Sequence, residues 1–142
     1  MRIKLTFVVA FATLLLAAVP AMAHHSFAAE FDSNKPVKLT GVVTKIEWTN
    51  PHVYFYIDVT DDKGNVVNWG FEGGNPGQLL RNGWKHDSLK VGDHVNVEGF
   101  AAKDGSHLVG TRLVTLADGR RVLGGAGAPG DDSNSGYASK DQ

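Results

Sequence analysis

From His52 to Thr60 the side chains alternate without a break: Val53, Phe55, Ile57 and Val59 on one side, His52, Tyr54, Tyr56 and Asp58 on the other. A period of two turns one face to a core and the other to water, which fits a half-buried strand and not a helix. The segments around it repeat the theme. Residues 37–47, rich in Val, Thr and Ile, predict a first strand with a bulge or sharp bend at Gly41. The turn Trp48-Thr49-Asn50-Pro51 leads into the second strand, residues 52–60. Asp61-Asp62-Lys63-Gly64-Asn65 predicts a hairpin turn, from which residues 66–72 return as a third strand. Asn75 before Pro76 combines an N-cap with proline at the first helical position, so a short helix is predicted over residues 76–81, closed by Asn82-Gly83. A fourth strand begins after Gly92-Asp93, with Val95 and Val97 inward and His94, Asn96 and Glu98 outward. A fifth covers residues 107–116 and a short sixth residues 120–123.

Three strands, a short helix and two further strands form the order of an oligonucleotide/oligosaccharide-binding (OB) barrel, in which five strands curl into a Greek key. The phrase LKVGDHVNVEGF resembles the approach to the fourth strand in many such barrels. The expected fold is all-β, a small OB-like Greek-key barrel of five to six strands with one short helix. A six-stranded open sandwich satisfies the same periodicity and stays open as the alternative.

The ends of the chain read differently. Arg2 and Lys4, an apolar stretch over residues 5–19 and Ala21-Met22-Ala23 have the pattern of an export signal, predicted to be removed after residue 23. That stretch is short for a bilayer, which takes about 20 apolar residues. The expectation is a periplasmic or secreted protein with no membrane span after cleavage. From Gly124 the residues are Gly, Ser and Asp with almost no large apolar side chain, predicting a disordered tail over 124–142 and one domain over 24–123. Of 14 Lys and Arg, two fall in the leader, so 12 basic residues face 15 acidic ones in the mature chain. With signs mixed along every segment there is no basic stripe for nucleic acid, and none is expected as a partner. The chain has no cysteine, so any metal site must use nitrogen and oxygen donors.

Cleavage after Ala23 would leave His24 as the first mature residue, followed by His25. Its amine and Nδ1 together chelate one metal, and a further imidazole from His25 or His52 would complete a three-nitrogen site. Planar nitrogen donors favour Cu(II) or Ni(II) by geometry and by the Irving–Williams order. Cleavage after Ala21 instead places His24 third, which also gives a square-planar chelate. The plainer alternative is a flexible arm that happens to begin with two histidines. His52 is the best third ligand because it stands where the first loop meets the second strand, and that loop borders the usual binding face of an OB barrel. Equally, Trp48 to Pro51 is a turn with a tryptophan lid, and His52 its polar rim.

A second constellation is aromatic. Tyr54 and Tyr56 share the outward face of the second strand, near Trp48 and Asn50, and form a candidate ligand-binding surface for an envelope protein or small ligand. Across from them the third strand would bring either Asn68 and Glu72 or, in the other register, Trp69 and Phe71. Ordinary strand packing explains the tyrosines as well. His94 and His107 read as surface histidines, and His86 as part of a polar loop. The loop Glu72-Gly73-Gly74-Asn75-Pro76-Gly77 lacks the order of a P-loop or a dinucleotide fingerprint, and no serine sits in a nucleophile elbow.

The segments HHSFAAEFD, EWTNPH and NPGQLLRNGW together resemble an uncharacterised exported bacterial family, family 6152 of the domains of unknown function. The resemblance covers roughly residues 23–122 and implies an exported single domain with motifs at 24–32, 47–52 and 75–84. It implies no activity. The functional expectation is therefore read from the residues: a periplasmic copper-binding protein using His24, His25 and His52. A metal-free binding module on strands two and three is the alternative, and a copper-dependent oxidoreductase ranks third.

Overall fold

A computed structural model describes residues 27–127. The expected leader, His24, His25 and the chain beyond residue 127 lie outside the described residues. The elements in order are helix α1 (Phe27–Glu30), strands β1 (Phe31–Trp48), β2 (Val53–Thr60) and β3 (Val66–Glu72), helix α2 (Pro76–Arg81), and strands β4 (His94–Ala102), β5 (Leu108–Thr115) and β6 (Arg121–Leu123). The sheet order is β3-β2-β1-β4-β5-β6. A parallel pairing of residues 70–72 of β3 with 108–110 of β5 closes it. Closure leaves β1 shared between two antiparallel partners, with β2 along its second half and β4 along its first. This strand order with the helix between β3 and β4 is that of an OB barrel, and the closed β3–β5 seam decides against the open sandwich.

The alternation along β2 places Val53, Phe55 and Ile57 in the core. They meet Phe71, Val95, Val97, Val109, Val114 and Val122 from the other strands and Leu79 from α2. Phe55 and Phe71 stack at 5.1 Å between centroids, with planes 11° apart. Trp84 plugs one end of the barrel, edge-on to Trp48 at 6.4 Å. Its indole Nε1 donates to the Leu123 carbonyl at 2.8 Å, so burial costs this polar atom nothing. Asn75 caps α2 as the sequence predicts, its side chain accepting from Gln78 N at 2.9 Å.

Three expectations are corrected. β1 begins at Phe31, six residues before the predicted start, and is preceded by α1. The register shifts in β1 fall between Phe31 and Pro36 and between Val43 and Lys45, not at Gly41. Gly41 serves a different need: a Cβ there would stand 2.3 Å from the Asp58 carbonyl, so the glycine permits close approach of β2. Residues 124–127, placed in the tail by composition, pack on the barrel. Gly124 N donates to Arg112 O at 2.8 Å, and its carbonyl accepts from Gly74 N at 2.8 Å. Glycine is required there because a Cβ on Gly124 would come within 2.4 Å of the Thr111 carbonyl. Their composition reads as disorder, but the smallness is what lets them lie against β5.

Candidate functional site

A cleft of about 320 Å³ opens where α1, the start of β2, the end of β3 and the first turn of α2 converge, with residues 125–127 along one side. His52 and Glu72 line it together with Phe27 and Glu30. The backbone there is tightly tied: Val53 N donates to Gly74 O at 3.0 Å, Gly73 N to Val53 O at 2.8 Å, and the Thr49 hydroxyl to His52 O at 3.1 Å.

The β2–β3 register sets the chemistry by placing Tyr54 opposite Glu72. Glu72 is 5% exposed, and a carboxylate so buried must be bonded to be tolerated. Here both oxygens are. Oε1 meets His52 Nδ1 at 2.5 Å, and Oε2 accepts from the Tyr54 hydroxyl at 2.8 Å. Burial first, then the bond to Glu72 and its charge, pushes the Tyr54 hydroxyl well above the ordinary phenol range, so it stays a donor. His52, 32% exposed at its side chain, has Nδ1 engaged and Nε2 without a partner among the described residues.

On the N-terminal side, Phe27 packs on Phe31 at 5.2 Å and on Phe100 at 5.7 Å between centroids. Lys103 Nζ donates to the Ala28 carbonyl at 2.5 Å. These contacts hold Phe27, the first residue of α1, in the wall of the cleft that His52 also lines.

The other expected ligand residues go elsewhere. The Tyr56 hydroxyl donates to Glu47 at 3.0 Å, with the Lys45 ammonium 5.4 Å above the ring. Trp48 packs between Trp84 and His86, the latter at 4.9 Å, as the lid of the barrel end. Asn50 is exposed in the turn, His94 is exposed, and His107 packs on Trp69 at 4.6 Å. Among the described residues, His52 and Tyr54 are thus the expected site residues that share a partner, Glu72. Among the described residues no group of three or more His, Asp or Glu is arranged to hold a metal ion. Strand alternation alone leaves Glu72 undecided between the two registers. Its signal was the hairpin, since Thr60 pairing with Val66 across the turn makes Tyr54 face Glu72 two residues at a time.

A second charged group lies on β1, β4, β5 and β6, where Glu98 meets Arg112 at 2.8 Å, Lys38 at 3.3 Å and Arg121 at 4.0 Å. Burial raises the Glu98 carboxyl, and the bond and charge of Lys38 with the charges of Arg112 and Arg121 outweigh it, leaving it below its usual range.

A model of a family of unknown function (DUF6152) matches residues 12–112. The chain belongs to this family. The DUF6152 match runs through the N-terminal motif, β1 to β4, α2 and most of β5, so the cleft's His52 and Glu72 fall within it. No curated protein matches the chain. Among solved structures, the chain is similar to the mitochondrial single-stranded DNA binding protein Rim1 of S. cerevisiae. That likeness has 16% identity and a TM-score of 0.45, over 61% of this chain and 94% of that one. It is also similar to the N-terminal domain of PriB from Thermoanaerobacter tencongensis, at 19% identity and a TM-score of 0.39 over 58% and 96%. The barrel assignment of this DUF6152 protein rests on its own strand order and seam.

Proposed function

We propose that this protein is an exported Cu(II)-binding protein, with the amine and imidazole of His24 as a bidentate pair, His52 as the further imidazole, and His25 beside them. The observation that carries the reading is that Phe27 and His52 line one cleft. His24 precedes Phe27 by three residues, a maximum reach of roughly 10 Å at ~3.5 Å per residue. With no cysteine in the chain, thiolate donors are excluded, and the nitrogen donors proposed here favour Cu(II). The metal-free reading on the β2 face has less support, because Tyr54 and Tyr56 commit their hydroxyls to Glu72 and Glu47 and Lys45 covers the Tyr56 ring.

The test begins with N-terminal sequencing of the exported protein, expected to start at His24. Cu(II) titration against a competing chelator follows, for the authentic protein, for a form with one extra residue before His24, and for His52→Ala. Both changes are expected to weaken binding by more than about tenfold, ~1.4 kcal/mol. Equal affinity and an unchanged copper spectrum in the extended form would exclude the amine as a ligand.

A further inference from the structure

We infer that Glu72, itself pinned by the Tyr54 hydroxyl, is the positioning residue that holds His52 as the Nδ1–H tautomer and so leaves Nε2 as the nitrogen able to ligate in the cleft. The copper role of this arrangement rests on the function proposed above; the tautomer does not.

The geometry is a relay of three side chains. Tyr54 donates to Oε2 of Glu72 at 2.8 Å, which fixes the plane of the carboxylate. Oε1 then stands 2.5 Å from His52 Nδ1. A carboxylate is acceptor-only, so the neutral imidazole must carry its proton on Nδ1 to make this bond. Its lone pair is thereby placed on Nε2. The carboxylate also increases the donor strength of the ring, and carboxylate partners of this kind recur behind metal-bound histidines. Glu72 is well suited to the task because it is buried at the end of β3, directly paired with Tyr54, while the backbone bonds from Gly73 N to Val53 O and from Val53 N to Gly74 O lock the two strand ends together. Neither Glu72 nor Tyr54 is needed to close the core, since Phe55 and Phe71 do so from the opposite faces of the same strands.

Nitrogen-15 NMR of the metal-free protein reads the tautomer directly, and copper affinity with electron paramagnetic resonance reads its consequence. The wild-type His52 is expected as Nδ1–H. Glu72→Ala should release it toward the Nε2–H form usual for a free imidazole and lower Cu(II) affinity by about 10–100-fold. Glu72→Gln keeps an acceptor of the same shape without the charge, and should retain Nδ1–H with intermediate affinity and a shifted copper hyperfine signal. Tyr54→Phe should keep the tautomer and lose affinity by a smaller factor. A wild-type His52 protonated on Nε2, or a tautomer unmoved by Glu72→Ala in a folded protein, would overturn the inference. So would an unchanged copper signal and affinity in both Glu72 variants, if wild-type binding requires His52. A tautomer that follows Glu72 in a protein with no His52-dependent copper binding would support the relay and overturn the copper reading alone.

Discussion

Asp61 governs the β2–β3 hairpin with one carboxylate, Oδ1 accepting from Lys63 N and Asn65 N at 2.8 Å each and Oδ2 from Asn65 Nδ2 at 2.9 Å. The Asn65 side chain foremost, then the backbone donors, holds the Asp61 carboxyl below its usual range. A folded-state pKa below the unfolded value of about 3.9 means that the stabilisation is complete above that pH and is lost as pH falls through the folded value. Below about pH 4, thermal midpoints of the wild type are therefore expected to drop more steeply than those of Asp61→Asn, which has no carboxyl to titrate there. Parallel midpoint curves would show that these bonds do not contribute. The same turn shows what the sequence discloses at this scale. Asp61 to Asn65 was legible as a hairpin, and alternation placed Tyr54 and Tyr56 outward. Which residues met them was not legible, because a shift of one position exchanges Glu72 for Phe71 and only the exact turn geometry chooses.

The strands and α2 carry strong local signals, namely an unbroken period of two and an N-cap with proline, and they stand close to where the sequence placed them. The short helix α1 carries none. Its four residues Phe27, Ala28, Ala29 and Glu30 make no apolar stripe, and their order comes from tertiary contacts of Phe27 with β1 and β4 and of Lys103 with Ala28. Gly110 on β5 makes that docking possible, since a Cβ there would fall 2.6 Å from the Phe27 ring and 2.8 Å from that of Phe31. Gly110→Ala is expected to displace α1 at a cost of about 1–3 kcal/mol. On the proposed copper role it should also weaken Cu(II) binding although position 110 offers no donor, because the proposed N-terminal ligands would no longer be delivered to His52. Chelator-competition titration beside a thermal melt checks both, and a destabilised variant with undiminished copper affinity would separate α1 from the site.

At the scale of the barrel, the element order already implied the Greek key, while the β3–β5 seam is three residue pairs between segments far apart in sequence, which no local pattern announces. Phe55 sits at the centre of the enclosed core, 1% exposed and stacked on Phe71. Phe55→Ala is expected to remove about 3–5 kcal/mol. That is a large part of the ~5–15 kcal/mol typical of a domain, so denaturant unfolding followed by tryptophan fluorescence should shift its midpoint strongly. No helix among the described residues is long and apolar enough to cross a membrane. The two ends of the described barrel also meet, for Gly127 packs against Phe27 at the edge of the cleft. Gly127 thus stands beside the proposed metal site, and anything fused after Gln142 is tethered to it through residues 128–142. A C-terminal polyhistidine purification tag would act as a tethered competitor for copper at high local concentration, and affinities measured with it in place would describe the tag as much as the protein.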